Sequence, residues 1–152
     1  MKTLVSIFLI FLFINTSSAQ NAQRVKNFNI DKTTLAIEGY DPVAYFTLKK
    51  GVEGKKEISL VREGIIYQFS SIQNRELFKI NPSKYEPQFG GWCAYAMGEN
   101  GEKVSVDPQT FKVLDGKLYL FYNKFFNNTL KEWNKNENAL RQKAEINWTK
   151  FK

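Results

Sequence analysis

The chain has 152 residues, a formal net charge of +7, one cysteine and no histidine. The absence of histidine excludes imidazole-based catalytic triads and imidazole metal ligands, and a single cysteine excludes an intrachain disulfide, so the fold depends on a noncovalent core. The basic residues are scattered, which favours a solvated lysine-rich surface over a nucleic-acid or anionic-membrane site, and we expect no nucleic-acid partner.

The N-terminus has the pattern of a secretory signal peptide over residues 1–19. Lys2 provides the positive charge, and an apolar run extends from Leu4 to Ile14. Small residues at positions 17–19 precede an expected cleavage before Gln20. The apolar run is short for a membrane span, so we expect export with no stable membrane insertion after cleavage, and an uncleaved N-terminal anchor is the alternative.

The remainder of the chain divides into two parts. Residues 20–34 are polar with isolated apolar positions, which predicts an extended arm or linker. Residues 35–152 are long enough for one compact domain. The composition is rich in lysine, asparagine and isoleucine, which suggests a bacterial source and therefore a periplasmic or secreted protein.

The domain contains local signals for both hairpins and helices. An Asp-Pro pair favours a helix start, because aspartate accepts hydrogen bonds from free N–H groups and proline fits the first helical position. A two-residue turn ending in glycine between apolar runs favours a β-hairpin. In chain order, the predicted elements are a short strand at 35–37, a helix start at Asp41-Pro42, a hairpin around Glu63-Gly64, a helix from Ser70 or Ser71 to near Asn81, a helical turn at 82–85, an exposed strand at 103–106, a second helix start at Asp107-Pro108, a hairpin around Asp115-Gly116, and a helical tail from Lys124 to Lys152 that breaks within Asn134–Asn138. The sequence therefore predicts an α+β fold in which antiparallel β-hairpins pack with short helices and the C-terminus is helical.

The only cysteine, Cys93, follows the glycine pair Gly90-Gly91. Because glycine adopts left-handed conformations at little cost, we expect a structural turn here that places Cys93 near the Asp41-Pro42 turn. An odd cysteine in an exported protein suggests a free reactive thiol, an intermolecular bridge or a ligand. The alternative is a small buried apolar residue, which is a common role for free cysteine.

The order of several segments carries a family resemblance. These segments are residues 39–46, 67–71, 74–78, 82–94, 107–108 and 115–120, followed by a tryptophan-bearing helical end. In this order the chain resembles the YHS-domain family, and more closely its exported subfamily of small single-domain proteins, over residues 35–148. Because YHS domains occur beside heavy-metal and copper-handling modules, the resemblance implies a metal-binding role for Cys93. The histidine that helps to name the family is missing from this chain.

The first functional hypothesis is a non-catalytic protein that binds a soft metal ion such as Cu(I) through Cys93. Thiolate and thioether ligands select Cu(I) and related ions. Met97 follows Cys93 by four residues, and two residues at this spacing share one face if the segment is helical. Met97 is therefore the possible second ligand, and the alternative is that both sulfur atoms fill the core.

The second hypothesis is a protein-interaction or small-ligand-binding module with a structural cysteine. If the Asp41 turn and the Cys93 turn meet, they line one aromatic pocket, whose candidate residues are Tyr40, Asp41, Tyr45, Trp92 and Tyr95. The alternative is an ordinary aromatic core, with Asp41 as a helix cap.

The third hypothesis is a thiol-dependent enzyme. A nucleophilic cysteine needs an activating base, a nearby cation or a helix N-terminus. The chain offers no histidine for this purpose, which disfavours catalysis.

Overall fold

A computed structural model describes residues 19–152. The predicted signal peptide lies outside the described residues, except for Ala19. The described helices are α1 (residues 19–27), α2 (Ala44–Thr47), α3 (Ile72–Ile80), α4 (Pro82–Tyr85), α5 (Ala94–Glu99), α6 (Thr129–Lys135) and α7 (Glu137–Trp148), with short 3₁₀ turns at Ile37–Gly39, Gln88–Gly91 and Thr149–Phe151. The strands are β1 (Lys55–Arg62), β2 (Ile65–Phe69), β3 (Asp107–Leu114), β4 (Lys117–Phe121), β5 (Asn123–Lys124) and β6 (Asn127–Asn128). Within residues 19–152, no helix has the length and apolar character needed to cross a membrane.

Consecutive strands pair into three antiparallel hairpins, so the predicted α+β class is confirmed. The two predicted hairpins turn at the expected positions. Glu63 and Gly64 have φ values of 49° and 83°, and Asp115 and Gly116 have φ values of 50° and 71°. Two successive positive φ angles are typical of the type I′ turn, whose twist matches that of the flanking strands.

Helix α3 begins and ends where the sequence indicates, whereas the helical tail predicted from Lys124 begins only at Thr129, because residues 123–128 form the β5–β6 hairpin. Ser71 caps α3, because its hydroxyl oxygen accepts a hydrogen bond from the Asn74 backbone N–H at 3.1 Å. The C-terminal helical region breaks at Asn136, between α6 and α7, as the asparagine cluster predicts. These features depend on local capping, which explains why the sequence reveals them.

The segment 20–34 is not an extended arm, because residues 19–27 form α1 and pack against the domain. The Arg24 guanidinium lies 2.7 Å from the Glu86 carboxylate, and the Asn27 side-chain amide donates to the Phe151 carbonyl at 2.8 Å. Phe28 packs edge-on against Trp148, with ring centroids 6.2 Å apart. The polar composition misled the prediction because the partners of these side chains are distant in sequence.

The predicted strands at 35–37 and 103–106 are absent from the described structure. Leu35 and Ala36 make isolated bridges, and the 3₁₀ turn follows directly. The segment 103–106 has no regular secondary structure. In both places the apolar residues pack beside neighbouring segments without forming a continuous ladder.

Asp107-Pro108 begins β3 and does not begin a helix. The Asp107 carboxylate accepts hydrogen bonds from the Gln109 N–H at 3.0 Å and from the Thr110 hydroxyl at 2.7 Å. This local turn lies where the register between β3 and β4 shifts, between Asp107 and Phe111. The aspartate therefore stabilises a bulge at the strand end. Its carboxylate accepts local hydrogen bonds here as it would at a helix start, so an Asp-Pro pair in the sequence is compatible with either structure.

Strand β4 lies between two parts of the core. Leu118 and Leu120 belong to the first core cluster, whereas Tyr119 and Phe121 belong to the second. Because side chains alternate along a strand, β4 is covered on both faces. The second core also depends on a close approach of α5 and α7, since a Cβ atom at Gly98 would lie 2.5 Å from the Leu140 carbonyl oxygen.

The Gly90-Gly91 pair forms the predicted turn. The φ values are 60° at Gly90 and 84° at Gly91, in the left-handed region that favours glycine. A Cβ atom at Gly90 would lie 2.9 Å from the Trp148 ring and 3.1 Å from the Phe28 ring. Gly90 is thus required both by its backbone conformation and by the two aromatic rings that contact it.

We predict that Gly90→Ala lowers the free energy of unfolding by about 2–4 kcal/mol, because alanine is strained at this φ and collides with the two rings. The matched control is Gly116→Ala, whose φ is 71° but whose Cβ would meet nothing within 4 Å. The control should lose about 1 kcal/mol. Chemical denaturation of both variants measures the difference, and equal losses would contradict the packing argument.

Candidate functional site

Cys93 lies between the glycine turn and α5, where it is the N-cap residue. Its backbone N–H donates to the Val104 carbonyl at 2.9 Å, and it forms an isolated parallel bridge with Leu120 of β4. The residue is fully buried. Two segments, the loop before β3 and strand β4, therefore fix the backbone of Cys93.

Two groups contact the Cys93 sulfur, both from the segment after β4. The Tyr122 backbone N–H donates to Sγ at 3.4 Å, and the Thr129 hydroxyl oxygen lies 3.4 Å from Sγ. The Thr129 hydroxyl proton is used by the Tyr122 carbonyl, to which it donates at 2.9 Å. The thiol S–H is thus the donor to Thr129, and the three groups form a closed set of hydrogen bonds around a protonated sulfur.

A groove of about 290 Å³ opens above this thiol. Its lining residues are Cys93, Tyr95, Ala96, Glu99, Asn100, Glu102, Val104, Tyr122, Asn127 and Thr129. Cys93 is fully buried, and Thr129 both lines the groove and contacts Sγ, so a ligand that binds the sulfur would compete with the Thr129 hydroxyl for it. The thiol borders the groove from beneath and is not exposed in it.

The groove wall has acidic character. Glu99 and Glu102 form no ion pair with any lysine or arginine in residues 19–152, although the chain carries an excess of basic residues. Burial raises the pKa of Tyr95, and the neighbouring carboxylates of Glu99 and Glu132 add to this rise. The groove therefore combines a thiol, phenols and unpaired carboxylates, a lining that favours a cation over an anion.

Met97 lies one turn after Cys93, but the two sulfur-bearing side chains pack in different places. Cys93 belongs to the first core cluster and Met97 to the second, where Met97 is fully buried. The expectation of a shared helical face fails because Cys93 has φ −57° and ψ 117° and so precedes the helix. In the described part of the chain, no three histidine, cysteine, aspartate or glutamate side chains come together as a metal cluster.

Of the five aromatic-pocket candidates, Tyr95 alone borders the Cys93 groove. Tyr45 is fully buried and donates to the Pro108 carbonyl at 2.8 Å, and burial raises the pKa of its phenol. The Tyr40 hydroxyl accepts from the Gln109 side chain at 3.2 Å, and the Trp92 indole N–H donates to the Asn27 carbonyl at 2.7 Å. These side chains join separate segments to the domain.

Asp41 has a structural role that the capping alternative anticipated. One carboxylate oxygen accepts from the N–H groups of Val43 and Ala44, at 2.9 and 3.3 Å. The other accepts from the Ser70 N–H and hydroxyl, at 2.8 and 2.6 Å, and from the Asn74 amide at 2.7 Å. Asp41 thus links the α2 turn to the start of α3, and its polar contacts are separate from those of Cys93.

Two larger grooves lie on either side of Trp148, with volumes of about 510 and 420 Å³. Most of the charged side chains that line them are paired, as Arg24 is with Glu63 at 2.8 Å and Lys117 with Glu145 at 3.8 Å. Lys152 lines both grooves without an ion pair among residues 19–152. The Cys93 groove is smaller, but it differs from both in having a thiol and carboxylates without ion-pair partners, which are groups that can bind a ligand.

Sequence reasoning missed the residues that complete the Cys93 site. Thr129 and Tyr122 come from a segment about thirty positions later, and Glu99 and Glu102 have no distinguishing local pattern. Asn128 and Thr129 do give a helix-start signal, and Asn128 caps α6. That signal locates the helix but does not indicate that the threonine contacts a sulfur.

Comparison with known proteins adds no relative. A scan of protein-family models, a search of curated proteins and a search of solved structures each find no significant match to the chain. The resemblance to YHS domains therefore stays a prediction.

We predict that Asp41→Asn lowers the free energy of unfolding by about 2–4 kcal/mol. In this variant a side-chain NH₂ group takes the place of one carboxylate oxygen and faces N–H or O–H donors. At least one buried hydrogen bond would therefore be lost. Asp31→Asn is the matched control, because it removes the same charge from an exposed carboxylate that also accepts backbone N–H groups. Thermal and chemical denaturation should show a clearly smaller loss for the control. Similar losses would mean that the burial of the Asp41 hydrogen bonds adds nothing to the free energy of unfolding.

Proposed function

We propose that this protein is an exported, non-catalytic binding protein of the YHS type that takes its ligand in the Cys93 groove. A soft metal ion, with Cu(I) as the lead candidate, is the ligand that best fits the lining. The observation that carries the proposal is the position of the chain's one thiol beneath a groove whose carboxylates lack ion-pair partners among residues 19–152.

The chemistry of the sulfur supports a soft cation. Thiolate is the preferred protein ligand for Cu(I), and metal binding releases the thiol proton. The Tyr122 N–H already donates to the sulfur, and rotation of the Thr129 hydroxyl would supply a second donor to a thiolate. The carboxylates of Glu99 and Glu102 would attract a cation to the groove.

A Cu(I) ion bound to Cys93 needs a second soft ligand, which must come from another residue or molecule. Met97 is packed in the other core cluster, so its thioether would need to leave that cluster to reach a metal at Cys93. We therefore propose that a second copy of the chain or a small thiol brought with the metal completes the coordination. Met97 then contributes to stability rather than to binding.

A second candidate function is supported by the burial of Cys93. A fully buried thiol with satisfied hydrogen bonds fits a structural cysteine, and the groove then accepts a small cationic ligand or a basic side chain of a protein partner. A thiol-dependent enzyme is less well supported, because the groups that contact the sulfur are a hydroxyl and an amide, neither of which is a general base at neutral pH.

We predict that the reduced protein binds Cu(I) in competition with a chromophoric chelator, with one ion per Cys93 where a small thiol completes the coordination and one ion per two chains where a second copy does. Cys93→Ser should weaken this binding at least about a hundredfold, because serine keeps a hydrogen-bonding group but removes the soft ligand. Met97→Leu is the matched control, since it removes the other sulfur with little change of volume. The control should bind as the wild type does.

The outcomes separate the alternatives. Equal loss in both variants would make Met97 a ligand and contradict its assignment to the core alone. No binding by the wild type, with a thiol that reacts with a disulfide reagent only after denaturation, would reject the metal proposal in favour of a structural cysteine. Calorimetric titration with an alkylamine and with arginine would then test the groove as a site for organic cations.

A further inference from the structure

The hairpin formed by β5 and β6 ends in two exposed aromatic residues. Phe125 and Phe126 are the two turn residues, with φ values of 51° and 65°. Phe125 is 89% exposed and Phe126 is fully exposed. The turn therefore projects two complete phenyl rings into the solvent, and no described part of the chain covers them.

This turn is an unfavourable place for phenylalanine in an isolated domain. Two-residue turns with positive φ at both positions favour asparagine and glycine, because a Cβ atom is strained in this region. Asparagine is available in the same hairpin, at positions 123, 127 and 128. The other large exposed apolar residues, such as Ile80 and Ile146, lie singly on helices. The Phe125-Phe126 tip thus combines backbone strain with adjacent apolar exposure.

The chain segment that carries the tip is polar, and its charged residues are basic, whereas carboxylates lie behind it: Asp107 accepts from Asn123 at 3.5 Å, and Glu99 and Glu102 line the groove that Asn127 borders. Between Tyr122 and Lys131 the chain has two lysines, Lys124 and Lys131, both exposed, and no carboxylate. Strands β5 and β6 behind the turn consist of three asparagines and Lys124. An apolar tip on a polar, lysine-bearing hairpin matches the acyl boundary and the negatively charged headgroups of an anionic lipid surface.

We propose that the Phe125-Phe126 tip inserts reversibly into the interface of an anionic lipid bilayer. The net charge of +7 attracts the protein to such a surface, and the two rings then bury their apolar area at the headgroup boundary. The contact is peripheral and shallow. The carboxylates Glu99 and Glu102, which line the groove bordered by Asn127, remain outside the lipid because a charged carboxylate is costly to bury.

Lipid fits the shape of the tip better than a protein partner does. A specific protein interface buries about 800 Å² on each partner, whereas two convex side chains offer only part of that area. A lipid interface needs no complementary pocket and accepts a narrow apolar projection. The sequence did not reveal this surface, because its lysines are scattered along the chain. The surface is created by the turn at residues 125–126, which exposes the two phenyl rings.

The test measures binding of the full chain to vesicles of phosphatidylcholine with about one third phosphatidylglycerol, by flotation. The double substitution Phe125→Asn, Phe126→Gly restores the residues that the turn prefers, so its melting temperature should equal or exceed that of the wild type. Its vesicle partition coefficient should fall at least about tenfold. Ile80→Asn removes an exposed apolar side chain elsewhere and should leave the partition coefficient unchanged.

A local reporter separates tip insertion from binding by the apolar residues Leu4 to Ile14, which could retain the chain on vesicles by themselves. Phe126→Trp should give a blue-shifted emission that brominated phosphatidylcholine within the vesicles quenches, whereas Ile80→Trp should give neither. The proposal is overturned if the Phe126→Trp emission does not change, and any vesicle binding that the double variant then shares with the wild type is assigned to residues 4–14. Vesicles of pure phosphatidylcholine should bind less protein, and equal binding would overturn the requirement for anionic lipid.

Discussion

The approach of Trp148 and Phe28 to the backbone at Gly90 is the contact on which the position of Cys93 depends. The two rings leave no room for a Cβ atom at Gly90. Asn29 adds two hydrogen bonds, from its N–H to the Gly90 carbonyl and from its side-chain amide to the Gly91 carbonyl. Segments near both ends of the described chain thus hold the turn that precedes the thiol, so the site depends on long-range packing rather than on a local motif.

Strand β4 explains why Cys93 and Met97 separate. Its side chains alternate between the two core clusters, and Cys93 pairs through its backbone with Leu120 of the same strand. Cys93 joins the cluster that contains Leu120, whereas α5 then turns Met97 into the cluster that contains Tyr119 and Trp133. A thioether in this position fills an irregular space among aromatic rings, a common use of methionine.

The sequence predicts features that local chemistry determines and misses those that distant partners determine. The hairpin turn at Asp115-Gly116 and the cap at Ser71 are examples of the first kind, since a few adjacent residues suffice to specify them. Helix α1 is an example of the second, because its polar side chains are stabilised by contacts with residues far along the chain. The thiol at Cys93 could be recognised as a candidate, but Thr129 could not, because only the tertiary fold brings its hydroxyl to the sulfur.

The β5–β6 hairpin connects the two proposed surfaces. Asn127 borders the Cys93 groove and directly follows the Phe125-Phe126 turn, while Thr129, one residue beyond the hairpin, covers the sulfur. The hairpin has two residues in each strand and no backbone ladder to another described strand, and the Asn123 side chain holds it to β3 through Asp107 at 3.5 Å and Thr110 at 3.0 Å. The two proposed surfaces therefore share one short segment, in which the residues that shape the tip are directly followed by the threonine whose hydroxyl contacts the sulfur.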